Sequence, residues 1–110
     1  MTEKLALGNF EFAIVTALVT LGDNAYGMKI RQELDRLLGR SVAIGAVYTT
    51  LARLEDKKLV SSYVGDPTPE RGGRAKRFYR LEPLGRRAYA ATVAEQDRLR
   101  GILPLGAVPA

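Results

Sequence analysis

Residues 9–21, "NFEFAIVTALVTL", set Phe10, Ile14, Leu18 and Leu21 at helical spacing, and Val15 widens the stripe. This predicts a buried first helix packed on more than one side. Gly22-Asp23-Asn24 predicts its end and a cap for the next helix. Over 25–38, Tyr26, Ile30, Leu34 and Leu37 share one face, while Lys29, Arg31, Glu33, Asp35 and Arg36 face water. Gly39 is a stop signal. After an extended link at 41–43, a third helix is expected over 44–57, with Val47, Leu51 and Leu54 as its inner stripe. Two strand-like runs follow, "LVSSYV" at 59–64 and "AKRFYRL" at 75–81. Pro67, Pro69, Gly72 and Gly73 lie between them, so the connection is a long hairpin loop. Alternation sets Arg77, Tyr79 and Leu81 on one face of the second strand and Lys76, Phe78 and Arg80 on the other. A two-stranded hairpin needs support, so one face must rest on the helices.

Glu82-Pro83 opens a last helix, with Pro suited to its first turn. Leu84, Ala88, Ala91, Glu95 and Leu99 mark one line along it; Tyr89, Val93 and Ile102 lie near a second. The helix is expected to reach residue 100 or 103. The fold class is therefore mainly α with a small β-hairpin. Three short helices followed by a hairpin is the winged helix-turn-helix plan, in which the third helix enters the major groove and the loop is the wing. The expected organisation is a DNA-binding unit over 1–81, a C-terminal dimerisation helix over 82–103, and an irregular tail over 104–110.

Charge changes this picture from a fold to a function. The net charge is +5, from 17 basic and 12 acidic residues. Residues 71–80 hold five basic residues and no acid, so the other basic residues are balanced and the whole excess lies in one window. That asymmetry points to a polyanionic partner, most simply nucleic acid.

The chain has no cysteine and no histidine. Disulfides, Ser-His and Cys-His nucleophiles and the usual zinc sites are excluded, and no metal or cofactor is expected. The acidic residues sit in mixed-sign runs such as 33–36 and 55–58, which read as solvated helix faces rather than catalytic carboxylates, so no enzyme is expected. The first residues do not show the basic-then-apolar pattern of a signal peptide, and no apolar run approaches the ~20 residues of a membrane span. The expected location is the cytoplasm.

Four segments together resemble the PadR family of bacterial transcriptional regulators: "LGNFEFAIVTAL", "AYGMKI", "GAVYTTLARLEDKKLV" and "PTPERGGRAKRFYRLEPLGRRAY". The likeness covers about residues 5–90. It implies a winged helix-turn-helix repressor that binds DNA as a homodimer, with the last helix, helped by the first, forming the dimer interface. One helix after the wing resembles the short subfamily. The chain departs from some members in having no tryptophan.

The site residues follow from both lines of reasoning. On the third helix, Gly45, Tyr48 and Thr49 are small or hydroxylated, which suits approach to a groove wall, and Arg53 is either a DNA contact or a partner of Asp56. In the wing, Gly72 and Gly73 let the backbone approach a phosphate, Arg71 and Arg74 stand at the tip, and Lys76 and Arg77 follow. Arg80 serves DNA, its own strand or the last helix. Tyr26 and Lys29 open the second helix, which lies across the phosphate backbone in such folds; core packing is the alternative for Tyr26. Of Phe78 and Tyr79, one should pack beneath the hairpin and the other cover its outer face. Leu84, Ala88, Ala91 and Leu99 are the expected dimer contacts, because an apolar line with no cover in its own protomer seeks a second copy; the alternative is that the helix folds back on its own domain. A small apolar or aromatic effector is the further partner considered. Two other readings fit the same charge: a basic RNA-associated protein, and a protein-interaction adaptor on the same fold.

Overall fold

The computed structural model describes residues 6–65 and 75–102. Four helices and two strands follow one another: α1 (Asn9–Leu21), α2 (Gly27–Leu38), α3 (Ile44–Asp56), β1 (Val60–Val64), β2 (Arg77–Leu81) and α4 (Pro83–Arg100), with a single tight turn of helix at Gly22–Asn24. This is the mainly helical, hairpin-bearing architecture that the hydrophobic pattern predicts. The wing tip, with Arg71, Gly72, Gly73 and Arg74, lies outside the described residues, as does the tail from residue 103.

The core forms where the stripes of the first three helices meet. Ile14, Val15 and Leu18 of α1 pack with Ile30 and Leu34 of α2 and with Val47, Leu51 and Leu54 of α3, all buried. Each such aliphatic side chain contributes about 1.5–3 kcal/mol by leaving water. Val60 and Tyr79 bring the hairpin onto this core. Leu37 does not join it: it shares the face of Ile30 and Leu34 but lies in the last turn of α2 and is exposed.

The start of α2 differs from the expected cap. Tyr26 is extended, and α2 begins at Gly27 with no side-chain cap. The reason is tertiary. The Tyr79 N–H donates to the Ala25 carbonyl at 2.8 Å, and Tyr26 bridges Phe78, so this segment adds a short third edge to the hairpin. β1 and β2 are antiparallel, with Val60 opposite Leu81 and Tyr63 opposite Phe78. At the other end of α2, Gly39 adopts the left-handed conformation and its N–H bonds the Asp35 carbonyl. α3 ends similarly, but with Lys58 left-handed (φ 65°) where glycine is the cheaper residue; the Leu59 N–H reaches back to the Leu54 carbonyl.

α4 divides the expected dimer line into a covered and an exposed part. Its first half belongs to the protomer. Ala88 is wholly buried in the core, and half-buried Leu84 packs against it. Gly85 explains the close seat. A Cβ there would collide with the Leu59 carbonyl oxygen and come within 2.5 Å of Leu81 Cδ1. Tyr89 stacks on Phe12 of α1 with ring centroids 4.8 Å apart. Buried Thr92 donates to the Ala88 carbonyl and accepts the Leu7 N–H at 2.8 Å, which ties the N-terminal segment to α4. Ala91 is half-buried, and beyond Thr92 the helix leaves its own core: Leu99 and Ile102 are 63% and 72% exposed. Among the described residues no helix is long and apolar enough to cross a membrane.

Candidate nucleic-acid interface

α3 is divided lengthwise. One face carries Val47, Leu51 and Leu54 into the core, and the opposite face exposes Gly45, Ala46, Tyr48, Thr49, Ala52 and Arg53. The buried stripe holds the helix rigidly while the exposed face stays free of long flexible side chains for its first two turns. A solvated helix surface is normally rich in Lys and Glu. Arg53 makes no ion pair among the described residues, so the expected alternative of pairing with Asp56 is not formed. Instead, Lys57 at the end of α3 pairs with Glu11 of α1 at 2.9 Å. Burial raises the Glu11 pKa, but the Lys57 bond, the Gly8 N–H and the nearby cations together lower it below the ordinary carboxylate value.

Tyr48 leans off this face toward α2. A Cβ built on Gly27 would come within 2.6 Å of the Tyr48 ring, so the aromatic side chain lies against the bare backbone where α2 begins. Glycine at 27 is what allows the two helices to approach there. The sequence pattern alone singles out Tyr48 but not Gly27, since the contact is made across the turn between helices.

The hairpin supplies cations beside the start of α2. Lys76 Nζ sits 4.5 Å from the Tyr26 ring centroid, a cation–π contact. Tyr26 is half-buried and meets Phe78 edge to face, and Phe78 stacks on Tyr63, each at 5.6 Å. Arg80 covers Tyr63 at 5.0 Å, while Glu82 accepts a bond from Ser61. The outer face is thus an aromatic ladder, Tyr26–Phe78–Tyr63, with a cation at each end. Beneath it Tyr79 is buried, so the two aromatics divide between the faces as expected. Burial first, and then the Glu55 charge, raise the Tyr79 pKa and keep its hydroxyl neutral. Arg77 is exposed and donates to Ser62 Oγ at 2.9 Å; Ser62 in turn donates to Glu55 at 2.8 Å, so β2 is braced against the end of α3. Lys29 is half-buried in the first turn of α2.

The structure therefore brings Tyr26, Tyr48 and Lys76 around the start of α2, with Lys29 in its first turn, Gly45, Thr49 and Arg53 along the adjoining helix face and Arg77 on the hairpin. Sequence reasoning missed Gly27, Tyr63 and the Glu11–Lys57 and Ser62–Glu55 braces. Tyr63 was legible as the cross-strand partner of Phe78, but the braces join residues that look like solvated surface.

Comparison with known proteins bears on the fold and the family. An uncharacterized protein X of Lysinibacillus sphaericus is 30% identical over 95 residues, 84% of each chain. A PadR family transcription regulator of Clostridium difficile R20291 superposes with a TM-score of 0.71 at 25% identity, over 86% of this chain and 94% of that one. Bordetella bronchiseptica BpsR, whose DNA binding is regulated by 6-hydroxynicotinic acid, shares the fold with a TM-score of 0.68 at 19% identity, covering 98% of this chain and 73% of that one. Residues 17–91 match the transcriptional regulator PadR-like family. With its buried three-helix core, exposed third-helix face and cation-bearing hairpin, the chain belongs to the PadR-like family of transcriptional regulators and is a DNA-binding transcription regulator.

Proposed function

We infer that the protein is a homodimeric repressor whose α3 enters the major groove while the wing and the start of α2 hold flanking phosphates. The observation that carries this reading is the exposed, uncharged first two turns of α3 beside Lys76 and Tyr26. On this reading residues 1–81 form the DNA-binding unit and the helix over 82–103 pairs two copies. The division is one of role, since the first half of α4 shares the core of the same protomer. Leu99 and Ile102, with half-buried Ala91 nearer the body, are the surface offered to the second copy; a twofold pair is the simplest cover for it.

Twofold symmetry gives a near-palindromic operator with half-sites about one helical turn apart, ~34–36 Å. If Arg71 and Arg74, with one or both of Lys76 and Arg77, of each wing meet phosphates, a dimer neutralises about six to eight, and affinity falls on the order of a thousandfold or more between 50 and 200 mM salt. A small aromatic effector is consistent with the regulation of the fold neighbour BpsR by 6-hydroxynicotinic acid. The deciding experiment is a shift assay of the purified dimer on the DNA upstream of its own gene, across that salt range, with structured RNA as competitor. Retarded duplex that structured RNA fails to displace, with a steep salt dependence, supports the reading. Preference for RNA favours the RNA-associated alternative, and no nucleic-acid binding at all favours the adaptor.

A further inference from the structure

Sorting the exposed face of α3 by chemistry says which bases it suits. Gly45, Thr49 and Ala52 fall at i, i+4 and i+7 and run down its middle, all exposed. Ala46 and Arg53 lie on one flank. Tyr48 lies on the other and is turned against Gly27. The strip ends at exposed Asp56, whose charge opposes any closer approach of that end to phosphate. Adenine is read best by Asn or Gln, cytosine by an acidic acceptor and guanine by Arg or Lys. The middle of the strip holds none of these. What Thr49 and Ala52 share is methyl surface, whose match in the major groove is the C5-methyl of thymine; the Thr49 hydroxyl can bond any base edge and makes no choice among them. Arg53 is the one long donor beside the strip, and no acid among the described residues pairs with it.

We propose that α3 reads a thymine-rich half-site through methyl contacts from Thr49 and Ala52, with a single guanine read by Arg53. The inference rests on the DNA-binding reading above and deepens it. Specificity then comes mainly from shape and methyl packing, with one hydrogen-bonded base pair fixing the register.

The test uses the full chain. A pool of randomised duplexes is selected for binding, and the recovered half-site is resynthesised with deoxyuridine for each thymine or 7-deazaguanine for the guanine. Each contacted thymine that loses its methyl should weaken binding about fourfold, the effect of removing one buried methyl-sized group. Loss of the guanine N7 acceptor should weaken binding to the wild type but not to Arg53→Ala. Arg53→Ala itself should weaken the selected site by about five- to a hundredfold and abolish the preference for guanine at that one position. Because Arg53 is exposed, its variant should keep the wild-type melting temperature.

If no duplex sequence is enriched, the DNA-binding reading itself fails. If a sequence is enriched but is indifferent to uracil, or is read through several guanines, DNA binding stands and the methyl assignment is overturned. If Arg53→Ala weakens all duplexes equally and flattens the salt dependence, Arg53 is a phosphate contact and the guanine assignment falls.

Discussion

α3 and α4 are both half-covered helices, divided along different axes. α3 is split lengthwise: every turn has a buried side and a bare side. α4 is split end to end: its first half is seated so tightly that Gly85 has no room for a methyl, and its last turns stand clear with Leu99 and Ile102 exposed. A lengthwise division fixes a helix firmly while offering an extended face, which suits a groove. An end-to-end division anchors a helix at one end and presents apolar residues at the other, which suits a second copy. The bare parts differ to match: the first two turns of α3 are uncharged, while the end of α4 sets the bulky apolar Leu99 and Ile102 among Glu95, Asp97, Arg98 and Arg100.

Glycine substitutions sharpen this contrast most. Gly85→Ala should cost about 2–3 kcal/mol, because the methyl meets the backbone of Leu59, which cannot turn aside. Thermal unfolding would show it as a loss of several degrees. An unchanged melting temperature would mean that α4 is not seated as described. Next in size, Thr92→Val should cost about 1–2 kcal/mol by leaving the buried Leu7 N–H without an acceptor; denaturant unfolding measures it. Leu99→Asp with Ile102→Asp should leave the protomer's stability within about 0.5 kcal/mol of wild type, since both residues are exposed, yet convert a dimer to monomer in sedimentation. A dimer that survives both changes would move the pairing surface elsewhere. Gly45→Ala should do the opposite of Gly85→Ala. Nothing lies within 4 Å of the added methyl, so stability should rise by about 0.5 kcal/mol while DNA affinity falls.

The smallest effect concerns acid. A bond from Arg36 and a second from Thr20 hold Glu33 down to about 2, against a small opposing desolvation. A lowered folded-state pKa contributes stability that is present above the ordinary value of 4.5 and is lost as the pH falls through 2. Glu33→Gln should therefore flatten the stability profile slightly between those two values, with its small loss of stability present in full near neutrality and absent below pH 2. The pair is on the surface, and screening keeps the change small.

The fold was legible because its stripes are long and regular. The bounds of α1 read from periodicity are those observed, and Val47, Leu51 and Leu54 are the buried face of α3 as expected. Failures fall where a neighbour decides. The line Leu84–Ala88–Ala91–Leu99 is continuous in sequence, but the body of the protomer covers only its first part. Tyr26 reads as the first turn of α2 until Phe78 draws it into the hairpin edge. For the interface, residue type and spacing picked out Gly45, Thr49, Lys76 and Arg77 as surface groups. The contact of Tyr48 with Gly27 and the brace from Glu55 through Ser62 to Arg77 depend on how separate elements approach. Periodicity within one element carries no information about such pairs.

The edge that Ala25 and Tyr26 add to the hairpin also bears on the order of assembly. The three helices can meet through neighbours close in the chain, whereas the Ala25–Tyr79 hydrogen bond must close a loop of some fifty residues. Such distant contacts form late because the chain loses loop entropy before it gains them. In pulsed hydrogen exchange during refolding, the Tyr79 amide should gain protection after the amides of α1 and α3. The hairpin root, with Lys76 on Tyr26, would then be completed last, and a nascent chain would hold its helical core before it could grip DNA.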